Sequence, residues 1–271
     1  KAAVEQEILE ALSAPQEPIV RVSVREELAR AKRVHEQAHK VIRSMMCDVR
    51  LGKAVSLDDA EPVVEAITGS VLRNGGALMG LIGIKNKDDY TFLHSVSVCT
   101  LMIAFGRSLG LDGEELRQGG IGGLLHDIGK MKVPDEVLNK PGRLTDAEFD
   151  LIKQHPGDGH AVLLETPGIG AIPLDITRHH HERLDGKGYP DGLAGDSISS
   201  MARMAAIVDV YDAITADRCY HKGMPAAEAL RKMWEWSKDH FDQKLLQAFM
   251  RCVGIYPVGS LVRLESGRLG V

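Results

Sequence analysis

The amino-acid sequence predicts an all-α fold, a helical bundle with a helical N-terminal lead-in and one small β-hairpin at the C-terminus. Three observations lead there. A Ser, Thr or Asp followed three residues later by Glu recurs at Ser23 and Glu26, Asp112 and Glu115, and Thr145 and Glu148. At that spacing the two side chains satisfy each other's free amides at a helix start. Apolar residues then return with the helical period, whereas the alternation that marks strands is confined to the tail at 258–271, around Gly267. The composition, 44% hydrophobic and 26% charged over 271 residues, is that of a globular chain and excludes disorder. Aromatics make up only 4%, so the core is built from Leu, Ile, Val, Ala and ten Met.

Each element follows in order. After Ser23, the residues Leu28, Ala31, Ala38, Val41, Ile42, Met45 and Val49 form an apolar stripe opposite a charged, solvated face. A second helix is expected over 56–72, stopped by Asn74, Gly75 and Gly76. A long helix over 90–109 ends at Gly110 in the usual C-cap role. The helix opened at Asp112 runs to His126–Gly129, and the one opened at Thr145 is expected to end at His155, since Pro156 disfavours helix in the residue before it. A short helix over 174–181, a loop over 183–199, and helices over 201–216, 226–236 and 242–253 complete the pattern. The expected organisation is a helical region over 1–85 that carries no evident chemistry, a main helical domain over 86–255, and the hairpin tail over 256–271.

A net charge of −5 excludes generic adhesion to DNA, RNA or an anionic membrane, which requires a basic surface. The best apolar run, 95–105, is too short to span a bilayer. Cys47, Cys99, Cys219 and Cys252 lie far apart with no zinc-type spacing, so they are expected to be free thiols in a reducing cytoplasm.

Histidine is the anomaly. It occurs eleven times, and seven of these fall between His94 and His181, a density that a packed core has no use for. His126-Asp127 and His179-His180-His181 each end an apolar helix, and Asp209 lies inside the apolar run 204–210. A buried carboxylate is costly unless it meets a cation, a metal or several donors. With two histidine-rich helix ends available, a metal is the better answer. Imidazoles and carboxylates without thiolate suit iron, manganese, nickel, cobalt or zinc better than calcium or magnesium. The ligands outnumber the needs of one ion, and two metals sharing a carboxylate suit in-line displacement at phosphorus.

Three blocks carry a resemblance. His126-Asp127-Ile128-Gly129-Lys130 resembles the HD motif of HD-domain metal-dependent phosphohydrolases. The run from His180 to Pro190, with Gly188-Tyr189-Pro190 inside it, resembles the signature of the HD-GYP subgroup, and the run from Asp209 to Arg218 resembles that subgroup's last motif. The blocks occur in the family's order over about 90–250. The resemblance implies a helical HD-domain bundle that hydrolyses the phosphodiester of cyclic di-GMP, a bacterial second messenger, to linear pGpG and onward to GMP. It also implies two metal ions, most readily iron or manganese, with a hydroxide between them as nucleophile. His94, His126 and Asp209 would hold one metal, His155, His180 and His181 the other, and Asp127 would bridge them. Some members add a third metal through a Glu four residues before the first histidine; here that position is Tyr90, so two metals are expected.

The same resemblance makes Lys130 a catalytic phosphate contact and Arg218 a substrate contact. Asp212, one turn after Asp209, is expected near the substrate to orient a ligand or a water, and Lys187 is expected to contact substrate. The resemblance makes the Gly188-Tyr189-Pro190 loop a rim or a regulatory contact. After Arg218 the chain has Cys219, Tyr220 and His221 in place of the family's usual Pro, aromatic and basic residue, with Lys222 as a substitute cation. Two other readings are compatible with the motifs: a catalytically weak cyclic di-GMP receptor, and another HD-type nucleotide phosphohydrolase. His35, His39, His160, His179, His221 and His240 are read as background.

Overall fold

The computed structural model describes residues 20–82, 90–217, 222–254 and, in the tail, 262–263 and 266–270. Its helices are α1 (Val24–Arg50), α2 (Leu57–Ile82), α3 (Tyr90–Leu109), α4 (Gly113–Leu125), α5 (Asp135–Leu138), α6 (Asp146–Ile152), α7 (His155–Leu164), α8 (Ala171–His179), α9 (Ser200–Thr215), α10 (Ala226–Trp236) and α11 (Gln243–Val253). Short 3-10 helices cover Ile128–Lys132 and Gly195–Ser197.

The capping boxes form as the spacing predicts. Ser23, Asp112 and Thr145 cap α1, α4 and α6, each with its Glu bonded back to the cap backbone. Other boundaries differ for physical reasons. Asn74 does not stop α2 but kinks it: its side chain donates to Val22 O at 2.8 Å and accepts from Gly76 N at 3.1 Å, replacing the helical bonds lost at the bend. His155 begins a helix instead of ending one. Pro156 sits in the first turn of α7, where its missing N–H costs nothing. The expected C-terminal hairpin reduces to a two-pair antiparallel ladder, Val262 opposite Gly270 and Arg263 opposite Leu269, too short to add a layer.

Helix α3 is the axle of the fold. It packs against α1, α2, α4, α9 and α11. Its Val96, Cys99 and Ile103 join one apolar cluster with α1, α2 and α4. Val98, Leu101, Met102 and Phe105, on its other sides, join a second cluster with α9, α10 and α11. A helix buried all round must be apolar all round. That corrects the expectation that no segment has spanning length: Thr91–Leu109 has it, with 78% of its apolar window buried inside the fold, as a core helix requires. The N-terminal helices share the first cluster, and α1 contacts the 3-10 helix at 128–132.

Candidate metal centre and its cavity

The sequence-predicted ligands arise on separate elements whose ends converge. His94 sits in the first half of α3, His126 at the end of α4 with Asp127 after it, and His155 at the start of α7. His180 and His181 follow α8, and Asp209 lies midway along α9. Packing of α8 on α4, α7 and α9, and of α9 on α3, draws these points together. Gly129 makes the closest approach possible. A Cβ there would fall 2.0 Å from the carbonyl oxygen of His155 and 2.4 Å from Gly159 N, so only glycine lets the HD turn meet α7.

Two donor groups result, His94 with His126 and Asp127, and His155 with His180 and His181; within each, the donor atoms lie within 4.8 Å of one another. Asp127 stands between them. Its Oδ2 lies 3.6 Å from His94 Nε2 and 3.4 Å from His126 Nε2, and its Oδ1 lies 3.3 Å from His155 Nε2 and 3.8 Å from His180 Nε2. Asp209 also reaches both groups, with Oδ1 2.9 Å from His94 Nε2 and Oδ2 3.9 Å from His181 Nδ1.

The rings are aimed by their other nitrogen. Nδ1 of His126 donates to Gly123 O at 2.8 Å, that of His155 to Ile152 O at 2.7 Å, and that of His180 to Thr177 O at 3.0 Å. A carbonyl only accepts, so Nδ1 carries the proton and Nε2 presents its lone pair inward. His94 is held likewise by Asp212, whose Oδ2 lies 2.6 Å from its Nδ1. His126 Nε2 and Asp127 Oδ1 are buried without a hydrogen-bond partner. Orphaned inward-facing donor atoms beside a bridging carboxylate fit a metal centre.

The electrostatics point the same way. Burial alone would raise the carboxyls of Asp127 and Asp209, yet the surrounding imidazoles, and Lys130 beside Asp127, hold both well below the ordinary carboxylate range. Burial opposes a charged His126, but Asp127 and Asp209 outweigh it and raise the ring to about 10. Two carboxylates demand positive charge at this point, which a proton or a metal ion can answer. Burial drives His180 well down and His181 to about 3, so both are neutral bases suited to ligation.

The remaining predicted residues divide. Lys130 Nζ donates to Asp127 Oδ2 at 2.5 Å and lines the cavity. Asp212 is buried behind His94 and orients it, in keeping with the expected role of orienting a ligand. Lys187, expected to contact substrate, lies on the exposed face of the loop, 3.7 Å from Asp185, and is not on the cavity wall. Arg218, with Cys219, Tyr220 and His221, lies outside the described residues. Tyr189 stacks on His181 with ring centroids 4.7 Å apart and forms part of the cavity wall. Gly188 must be glycine, because a Cβ would fall 2.5 Å from Glu182 Cα.

No local pattern in the sequence marks what holds this loop. Buried Glu182 accepts from the amides of Asp191, Gly192 and Leu193 at 2.7, 3.1 and 3.0 Å. His179, read as background, bridges Asp175 at 2.7 Å and Asp191 at 3.0 Å, which pins the loop to α8. A second omission is larger. The donor cluster opens into a cavity of about 910 Å³ whose wall includes Cys47 and Arg50 of α1, from the region expected to carry no chemistry. Phe92, Lys140 and Phe149 join aliphatic residues such as Leu138 and Leu144 in the rest of the lining.

Comparison with known proteins adds identity to geometry. A family model for the HD domain matches residues 84–245, and one for a domain of unknown function (DUF3391) matches residues 1–60. The chain is 53% identical over 251 residues to the cyclic di-GMP phosphodiesterase PA4108 of Pseudomonas aeruginosa, covering 93% of this chain and 60% of that protein. It is 38% identical over 164 residues to the cyclic di-GMP phosphodiesterase response regulator RpfG of Xanthomonas campestris, covering 59% of this chain and 42% of that one. It is 37% identical over 166 residues to 3'3'-cGAMP-specific phosphodiesterase 1 of Vibrio cholerae, covering 61% and 38%. The chain thus spans 60% or less of the length of these relatives. Among solved structures, Bd1817, an HDG"Y"P protein from Bdellovibrio bacteriovorus, has the same fold, with a TM-score of 0.67 at 21% identity over 88% of this chain and 73% of that one. With the HD motif at the heart of the donor cluster and the family match running through all of its ligands, the chain belongs to the HD domain family.

Proposed function

We propose that the chain is a metal-dependent phosphodiesterase of the HD-GYP subgroup that hydrolyses cyclic di-GMP to linear pGpG. One observation carries the reading: two histidine groups joined by Asp127 open into a cavity large enough for a dinucleotide. The names of the relatives at 53% and 38% identity support the substrate. Their matched length goes well beyond the HD motif.

His94, His126 and Asp209 would hold one metal, and His155, His180 and His181 the second, with Asp127 shared. When bound, such ions supply a deprotonated water and neutralise charge on the phosphoryl oxygens. The protein does the rest. Its carbonyls and Asp212 fix the imidazoles, so the donors need no reorganisation. Lys130 holds Asp127 and offers its remaining N–H donors to a non-bridging phosphate oxygen. Tyr189 covers His181 and excludes water from that side. Hydrolysis bonds the water oxygen to phosphorus and breaks the bond to the ribose 3′ oxygen, which leaves as a hydroxyl.

The imidazole–carboxylate set without thiolate favours iron or manganese. Tyr90 in place of a carboxylate favours two ions over three. Free Cys47, Cys99 and Cys252 suit a reducing cytoplasm, and exposed Pro190 offers an edge for a regulatory protein.

The test is metal analysis combined with product chromatography. Protein loaded with manganese or with iron under reducing conditions is expected to carry two metals per chain and to release pGpG. Protein that holds two metals and binds the dinucleotide but leaves it intact would instead be a receptor. Turnover of mononucleotides alone would mark a nucleotide phosphohydrolase.

A further inference from the structure

Arg50 is the last residue of α1 and Asp135 the first of α5, and the two meet as an ion pair through Nη1 and Oδ1 on the wall of the cavity that holds the donor cluster. Both side chains stay open, at 35% and 60% exposure. The two lysines on that wall face elsewhere, Lys130 toward Asp127 at 2.5 Å beside the donor cluster and Lys140 toward both oxygens of Glu148 at 2.8 and 2.6 Å. Phe149, on the same wall, is a large apolar side chain left 46% exposed. Lys153 Nζ stands over its ring, 5.2 Å from the centroid, and the exposed remainder offers a base an aromatic contact.

An Arg fork beside a carboxylate is a donor next to an acceptor. Guanine presents the complement along one edge, with O6 accepting beside N1–H and the N2 amine donating. Adenine has an unprotonated N1 at the corresponding position, which a carboxylate repels. Resting on the cyclic dinucleotide reading above, we infer that the Arg50–Asp135 pair is a base-reading subsite that selects guanine. Arg50 donates to O6 through its remaining N–H groups, and Asp135 accepts from N1–H and the N2 amine through Oδ2. The N-terminal region thereby contributes directly to substrate choice. A match confined to the HD domain would not include Arg50, whereas Asp135 lies inside it.

The experiment compares kcat and KM for cyclic di-GMP and cyclic di-AMP in the manganese-loaded chain and in Asp135→Asn and Arg50→Ala. The wild-type chain is expected to prefer the guanine substrate. In Asp135→Asn the guanine-to-adenine ratio of kcat/KM should fall by about tenfold, the scale of one lost base-edge contact, with the change in KM. Arg50→Ala should move the same ratio in the same direction. A pair that only ties α1 to α5 would lower the melting temperature of both variants and scale both substrates together. An unchanged ratio therefore overturns the subsite while leaving the phosphodiesterase reading intact. If the metal-loaded wild type turns over neither dinucleotide, both readings fall. Because the readout is a ratio within one preparation, partial unfolding of a variant does not mask it.

Discussion

Two buried carboxylates set the two halves of this molecule apart. Glu27, in α1, is fully buried, and its oxygens accept from Arg73 Nε and Nη2 at 2.9 Å each and from Ser70 at 3.0 Å. Asp127 is equally buried, but it faces imidazoles that are themselves bases, and its Oδ1 has no hydrogen-bond partner. Burial exacts a similar cost at both. At Glu27 the chain supplies the whole answer, which makes the site structural. At Asp127 it supplies one lysine and a ring of lone pairs, leaving room for an external cation. A complete hydrogen-bond shell marks the first as a brace, and an incomplete one marks the second as a site.

The contrast can be broken most directly at Asp127. Asp127→Asn should abolish metal loading and cut cyclic di-GMP turnover by about 10³-fold or more, since several kcal/mol of charge stabilisation disappear. Retained metal and activity in that variant would end its assignment as the bridge. On the structural side, Arg73→Met strands Glu27 as a buried unpaired charge and should cost about 3 kcal/mol in urea unfolding at pH 7. The sign of its pH dependence follows from Glu27. Burial opposes its charge, but Arg73 and Ser70 prevail and lower its folded-state value. Its stabilisation is whole above the unfolded glutamate value near 4.3 and is lost as pH falls through the lowered one. The gap between wild type and Arg73→Met should therefore narrow as pH drops from 7 toward 3.

A smaller effect is expected at Asp212. Asp212→Asn frees the His94 ring and should weaken metal affinity by about 10–100-fold, read by titration with a competing chelator. The chain should remain folded. Ser23→Ala, at the N-cap of α1, should cost only about 1 kcal/mol and leave kcat unchanged. A loss of turnover from that distant cap would show that the position of α1 matters more to the cavity than its packing suggests.

The helices and the donor residues that the fold brings together were legible in the sequence because both are written in local spacing. Capping boxes need a spacing of three residues, and the HD and double-histidine blocks put donor side chains beside helix ends. Asp209 was readable as a carboxylate in an apolar run. What was not legible depends on distant partners. Asp212 lies one turn past Asp209, yet its role is decided by His94 on another helix. Glu182 looks like one more residue of the motif until the loop folds back and presents three amides to it. Lys187 shares that motif and points away. The α1 contribution to the cavity had no local signature, because Cys47 and Arg50 belong to an amphipathic helix whose only periodic signal is core packing. The kink at Asn74 and the start of α7 at His155 show the same limit: a breaker residue marks a boundary without saying which side of it is helical.

The glycine at 129 has a consequence beyond fit. The HD turn touches α7 main chain to main chain, so the separation between Asp127 and His155 is gauged by peptide groups and not by side-chain volumes. Peptide dimensions are fixed by covalent chemistry, while apolar side chains tolerate substitution with small rearrangements. The centre thus has a built-in ruler that is insulated from drift in the core around it. Sequence changes in the two apolar clusters can retune melting temperature while the spacing between the two donor groups stays constant.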